Sequence, residues 1–248
     1  MKIIIAPAKK MVADQDSLAV ETQPTYLAAT AEILARLRQL SYPELKALWK
    51  CSDRLAKPNY DWLQQLDLTR QLTPAILAFS GIQYQYMAAD IFTEPELDYI
   101  QQHLRILSGF YGILRPFDGI VPYRLEMQAK LPVATAPNLY AFWGSRLYQA
   151  LTPTPEPIIN LASQEYAKAI RPYLAPSQPM VDVVFASQVN GKLKTKATLA
   201  KMARGAMVRY MAETQVQDPA QLQYFDHPDY YFDAARSTAT KLVFIDRH

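Results

Sequence analysis

Asn190-Gly191 is the local signal that most constrains this chain. It is a tight-turn pair standing between two strand-like runs, Val181–Ala186 and Lys192–Ala197, so an antiparallel hairpin is predicted. Other short apolar or β-branched runs read as strands: Lys2–Ala6, Ala75–Phe79, Arg105–Ser108, Ile158–Ala162 and Lys241–Asp246. Helical patterns intervene between them. One begins with Pro24 in its first turn and carries Leu27, Leu34, Leu37 and Leu40 at helical spacing, until Ser41-Tyr42-Pro43 breaks it. A second is predicted from about Pro43 to Ala56, closed by Pro58. Thr93 with Glu96 reads as a capping box for a helix running through about His103. Asn138 is placed to cap a helix through Leu151, with Pro-Thr-Pro at 153–155 as punctuation. Ser163 is placed to cap another, and Leu199–Glu213 reads as a further helix. Strands alternating irregularly with helices, plus one hairpin, predict an α/β fold with a mixed sheet covered by helices. Neither a repeat nor a linker divides residues 1–248, and one domain is expected.

Several function classes are disfavoured. Only four apolar residues separate Lys2 from Pro7, and no apolar run reaches the roughly 18 residues of a membrane span, so a soluble cytoplasmic protein is expected. Cys51 is the one cysteine, which forbids an intramolecular disulfide and suits a reducing compartment. His103, His227 and His248 are far apart in sequence, so no Cys/His metal site is expected. With seven glycines the chain holds neither a P-loop nor a dinucleotide fingerprint, and no cofactor is expected.

Charge is segregated. From Asn190 to Ala212 there are six basic residues, Lys192, Lys194, Lys196, Lys201, Arg204 and Arg209, and no acidic one. The whole chain carries +3, so the remainder sums to −3, three minus six. Alternation along the second hairpin strand places Lys192, Lys194 and Lys196 on one face. Such a row either protects a sheet edge from aggregation or grips phosphates together with Lys201 and Arg204. Lys46, Lys50 and Arg54, at i, i+4 and i+8, would form a cationic stripe on the second helix: a solvated surface, or one half of a nucleic-acid-binding helical pair. Leu107–Asp118 and Pro122–Met127 carry Arg115, Arg124 and Glu126 on glycine-rich, aromatic segments, which suits either a buried polar network or a binding surface. In Asn160–Tyr166, Glu165 falls in the first turn of a helix, where a carboxylate either caps or catalyses.

These segments resemble the YaaA family of bacterial peroxide-stress proteins. The resemblance is carried by Ala6-Pro7-Ala8-Lys9, Phe79-x-Gly81-x-x-Tyr84, Leu107–Asp118, Pro122–Met127, Phe142-Trp143-Gly144, Asn160–Tyr166 and Ala200–Gly205, in family order over nearly the whole chain. It implies a family-specific α/β fold with a helix–hairpin–helix-like element, here at about 24–57, and a positively charged cleft. It further implies binding to duplex DNA and a part in limiting iron-dependent DNA damage under peroxide. By position it gathers Lys9, Arg105, Arg115, Arg124, Glu126, Glu165, Lys196 and Arg204 around one cleft. The family's usual Ser-Pro-Ala-Lys-Thr is altered here, with Ala6 and Lys10 at the flanks, and Ser41-Tyr42-Pro43 offers no glycine amide to a phosphate.

Three functions follow in order of support. The first is a DNA binder gripping phosphates without strong base reading. The second is an enzyme acting on a nucleotide or nucleic acid, with Glu126 or Glu165 as acid or base and Lys9, Arg115 and Arg124 on phosphate. The third is direct iron sequestration, which the scarcity of Cys and His disfavours.

Overall fold

The computed structural model describes residues 1–151 and 156–247. Its main sheet has the order β4-β3-β1-β6-β7-β10-β9, with β8 paired to β7. The strands are β1 (Lys2–Ile5), β3 (Leu104–Ser108), β4 (Gly112–Leu114), β6 (Ile158–Asn160), β7 (Met180–Val189), β8 (Lys192–Lys194), β9 (Tyr230–Phe232) and β10 (Lys241–Asp246). A separate small pair joins β2 (Thr73–Pro74) and β5 (Gly119–Ile120). The helices are α1 (Leu27–Arg38), α2 (Tyr42–Trp49), α3 (Asp53–Gln65), α4 (Ala75–Ala78), α5 (Ile82–Met87) and α6 (Glu94–His103). They continue with α7 (Leu139–Trp143), α8 (Arg146–Leu151), α9 (Gln164–Ala167) and α10 (Ala197–Glu213).

The five strands β3, β1, β6, β7 and β10 run parallel, so their carboxyl ends share one edge. β1 is the centre of this arrangement. Ile3 pairs with Leu104 on one side and Ile159 on the other, and Ile3, Ile4 and Ile5 are fully buried. An isoleucine run without polar alternation is what a parallel strand covered on both faces demands. The chain passes from β1 to β3 on one side and later to β6 on the opposite side. Loops leaving the carboxyl end of β1 thus diverge and open a crevice, the usual ligand position in open α/β sheets. Among the described residues no helix is long and apolar enough to cross a membrane.

Several expectations are met closely. β10 has the predicted bounds, Asn190 and Gly191 adopt φ of 51° and 74° between β7 and β8, and the Thr93–Glu96 capping box forms. Asn138 caps α7, its Oδ1 accepting from the Ala141 amide at 3.0 Å. Others are corrected. Of the strand expected over Ala75–Phe79, Ala75–Ala78 forms α4 and only Phe79 is extended, because a short apolar run fits either state and burial decides between them. The helix expected over Pro43–Ala56 is two helices: Lys50 takes a left-handed φ of 47°, α3 restarts at Asp53, and Pro58 lies inside it. Lys46, Lys50 and Arg54 consequently do not form one stripe. α1 begins at Leu27, leaving Pro24 outside, and the Asn138 helix is interrupted at Gly144 before α8. The second hairpin strand stops at Lys194, and Lys196 occupies the N-cap position of α10, so strand alternation no longer governs it. Pro-Thr-Pro at 153–155 and His248 lie outside the described residues.

Candidate anion-binding cleft

Four segments enclose a cavity of about 450 Å³ at the carboxyl edge of the sheet. Ala6–Lys10 leaves β1, Ser80–Tyr84 enters α5, Tyr123–Glu126 crosses the opening, and the β6–α9 turn brings Ser163, Glu165 and Tyr166. Lys201 and Arg204 reach in from α10. A neighbouring cavity of about 510 Å³ shares Lys9, Arg124 and Glu126 with it and extends along α1 and α2 past Arg36, Trp49 and Lys50. The two lie side by side across the Lys9–Glu126 ion pair, which is 2.7 Å long.

The crossing segment is held by a knot of aromatic rings beneath it. Tyr123 stacks on Phe110 with centroids 4.9 Å apart, and its hydroxyl shares a 2.6 Å hydrogen bond with Ser108 at the end of β3. Gly109 makes the close approach possible: a Cβ there would lie 2.8 Å from the backbone carbon of Glu126 and 2.9 Å from the Leu125 carbonyl. The Gly109 carbonyl in turn accepts from Trp143 Nε1 at 3.0 Å. Arg124 and Glu126 therefore project from a backbone fixed on both sides.

Three buried donor atoms of the cleft are unsatisfied. Arg124 Nε, Arg204 Nε and Gln83 Nε2 are buried side-chain donors with no hydrogen-bond partner, and all three residues line the cavity. Burial lowers the pKa of Arg204. Buried cations in proteins normally meet a carboxylate, because leaving one desolvated and unpaired is costly. An anion or an array of acceptors entering the cleft would complete these donors.

Two carboxylates sit in the same space. Glu165 Oε1 accepts from the Gln128 amide at 3.1 Å, while the Gln128 side chain donates to Glu126 Oε2 at 3.3 Å. Burial raises the pKa of Glu165; Glu126 adds to the rise, and the amides of Gln128 and Met127 together with Lys9 oppose it. Lys9 holds Glu126 directly. Among the described residues no group of three or more His, Cys, Asp or Glu side chains could hold a metal ion.

The structure brings together Lys9, Arg124, Glu126, Glu165, Lys201 and Arg204. The other residues expected at one cleft stand elsewhere. Arg115 pairs with fully buried Asp118 at 3.1 Å, and it lines a different depression with Arg105, whose guanidinium bonds the Gln101 and Leu104 carbonyls. Lys196 is bonded to Asp246 at 2.9 Å, and Lys46 to Asp53 at 2.6 Å. Lys192, Lys194 and Arg54 are exposed, and Lys50 lines the neighbouring cavity. At the α1–α2 connection the Ser41 amide donates to Glu44 at 2.7 Å, so this turn's leading amide is already occupied. Sequence reasoning missed Gln83. It lies inside the Gly81-x-x-Tyr84 motif, but nothing local marks its amide as unsatisfied.

Comparison with known proteins is consistent along the whole chain. Residues 1–236 match the family described as peroxide stress protein YaaA. A UPF0246 protein of Lactiplantibacillus plantarum is 71% identical over 248 residues, covering 100% of both chains. Further UPF0246 proteins include one of Lacticaseibacillus paracasei, 60% identical over 245 residues and 99% of each chain, and one of Agathobacter rectalis, 48% identical over 244 residues and 98% of each. With family motifs lining the cleft and full-length similarity beyond it, this chain belongs to the YaaA family of peroxide stress proteins.

Proposed function

We propose that this protein serves the peroxide response by binding DNA through its phosphates, thereby helping to limit iron-dependent damage to it. The observation that carries the reading is the pair Arg124 and Arg204, two cleft-lining arginines whose buried Nε donors have no partner. Lys201 on α10 lines the cleft, and exposed Lys192 and Lys194 on the hairpin add positive charge in a stretch of sequence without acidic residues. Lys46, Lys196 and Arg115 each have a carboxylate partner and contribute less to a phosphate track. Attraction of this kind is independent of sequence and weakens steeply with salt as counterions are no longer released.

The test is fluorescence anisotropy with short duplex and single-stranded DNA over a salt series. Wild type is compared with a Lys192→Glu/Lys194→Glu variant and an Arg124→Ala/Arg204→Ala variant. Both variants should bind more weakly, and the log–log salt slope should flatten by about one for each phosphate contact removed. Wild-type affinity and slope in both would remove these residues from the DNA contact.

A further inference from the structure

Phosphate binding accounts for the arginines but not for the two carboxylates beside them. Carboxylates repel a bound anion, and a surface built only to hold phosphate is better without them. Glu126 and Glu165 nevertheless converge on Gln128 within the cleft that holds Arg124 and Arg204. Their environments differ. Glu126 is tied to a lysine, whereas Glu165 is half-buried among Tyr140, Tyr166 and the backbone of residues 127–128. A carboxyl group whose burial favours its neutral form, beside one held by a lysine, can supply an acid and a base in one site.

The size of the cleft narrows the ligand. About 450 Å³ falls in the range of small-molecule pockets and is large enough for one nucleotide. Tyr84, Tyr123 and Tyr166 form part of the wall of the same space, Tyr84 and Tyr166 largely buried. With phosphate at the arginines, the carboxylates are left to the sugar–base junction. A carboxylate stabilises the positive charge that develops at a sugar C1′ as its bond breaks, but opposes the negative oxygens around a reacting phosphorus.

Resting on the anion-binding reading of the cleft, we propose that it hydrolyses the N-glycosidic bond of a nucleotide, free or turned out of a strand. Arg124 and Arg204 hold the phosphate, Glu126 takes a proton from water, and Glu165 gives one to the departing base. The water oxygen forms the new bond to C1′, the C1′–N bond breaks with its electron pair leaving on the base nitrogen, and that nitrogen receives the Glu165 proton. The products are a free base and a sugar phosphate; exchange with solvent returns the proton from Glu126 and reloads Glu165. No oxidant or reductant is involved. Lys9 acts as a positioning residue for Glu126.

Full-length protein is incubated with nucleoside 5′-monophosphates bearing normal or peroxide-oxidised bases, with the corresponding nucleosides, and with single-stranded oligonucleotides. Free base is quantified by chromatography, and binding is followed separately by anisotropy. The expected result is base release that requires the phosphate and falls roughly 10²–10⁴-fold in Glu126→Gln and in Glu165→Gln, with binding retained. The pH profile should show an alkaline limb set by Glu165, in a site also facing Lys9, Lys201, Arg124, Arg204, Glu126, Tyr140 and Tyr166. Release from monophosphates assigns a free nucleotide, and release from oligonucleotides alone assigns a flipped one; both support the proposal. Nucleotide or DNA binding without base release would overturn it and leave the binding reading standing. Inorganic phosphate or strand scission in place of free base would overturn the choice of bond. No binding of any probe would overturn both readings.

Discussion

Replacing Gly205 by alanine should destabilise this protein, against the ordinary rule for helices. In an exposed helix interior the change is worth about 0.5–1 kcal/mol in favour of alanine. Gly205 is buried in the middle of α10, where that helix crosses α5. An added Cβ would lie 2.0 Å from the Gln83 carbonyl oxygen and 3.0 Å from both the Gln83 carbonyl carbon and the Met87 nitrogen. All three are backbone atoms, so no side-chain rotation relieves the contact. Restoring a carbon–oxygen separation of about 3.3 Å requires the helices to part by more than about 1 Å. Overpacking of this kind costs about 1–3 kcal/mol, and a clash confined to backbone belongs at or beyond the upper end. Subtracting the helix gain leaves a net loss of about 2 kcal/mol. At about 2–4 °C per kcal/mol for a chain of this size, Tm should fall by about 4–8 °C in scanning calorimetry. Arg204 and Gln83 flank the contact, so anion binding should weaken in the same variant. A Tm at or above wild type would refute the reasoning and show that α5 yields freely.

Four further substitutions probe three separate features. Lys196→Ala should cost about 1–2 kcal/mol in urea unfolding, because it strips a charge partner from Asp246, whose side chain is 2% exposed, the loss being moderated by the 51% exposure of the lysine. Lys194→Ala should leave stability within about 0.5 kcal/mol while lowering DNA affinity; equal stability effects at the two lysines would contradict this division. For Glu165→Gln the sign follows from the raised folded-state pKa: the native state binds the proton more tightly than the unfolded chain, so wild-type stability drains as pH rises from the ordinary glutamate range through the folded pKa. The glutamine variant lacks that loss, and unfolding at pH 4 and pH 8 should show its advantage over wild type widening with pH; a shrinking advantage would mean that burial does not govern this group. Asn138→Ala removes the cap of α7 and should cost about 1 kcal/mol, read as a Tm decrease; no change would mean the 3.0 Å bond is not maintained in solution.

The sequence alone determined the features whose cause is local. Asn190-Gly191 defines its hairpin because positive φ at both positions is chemistry of those two residues. The Thr93–Glu96 box, the Asn138 cap and the bounds of β10 were legible for the same reason, and alternation of strands and helices was enough for a mixed α/β sheet. Five of the eight cleft residues given by family position, Lys9, Arg124, Glu126, Glu165 and Arg204, do meet in one cavity. What only the tertiary structure decided is which charges are available. Lys194 and Lys196 look alike along the chain, yet Asp246, fifty residues away, engages Lys196 and leaves Lys194 exposed. Arg115 and Arg124 sit on similar glycine- and aromatic-rich segments, but Asp118 neutralises the first while the second keeps an unsatisfied buried Nε. The identity of Ala75–Ala78 as helix was settled likewise, by burial rather than by its short apolar pattern. Helix caps and turns depend on neighbours in the chain, whereas the charge state and availability of a side chain depend on desolvation and on counter-charges that arrive only when distant strands are brought together.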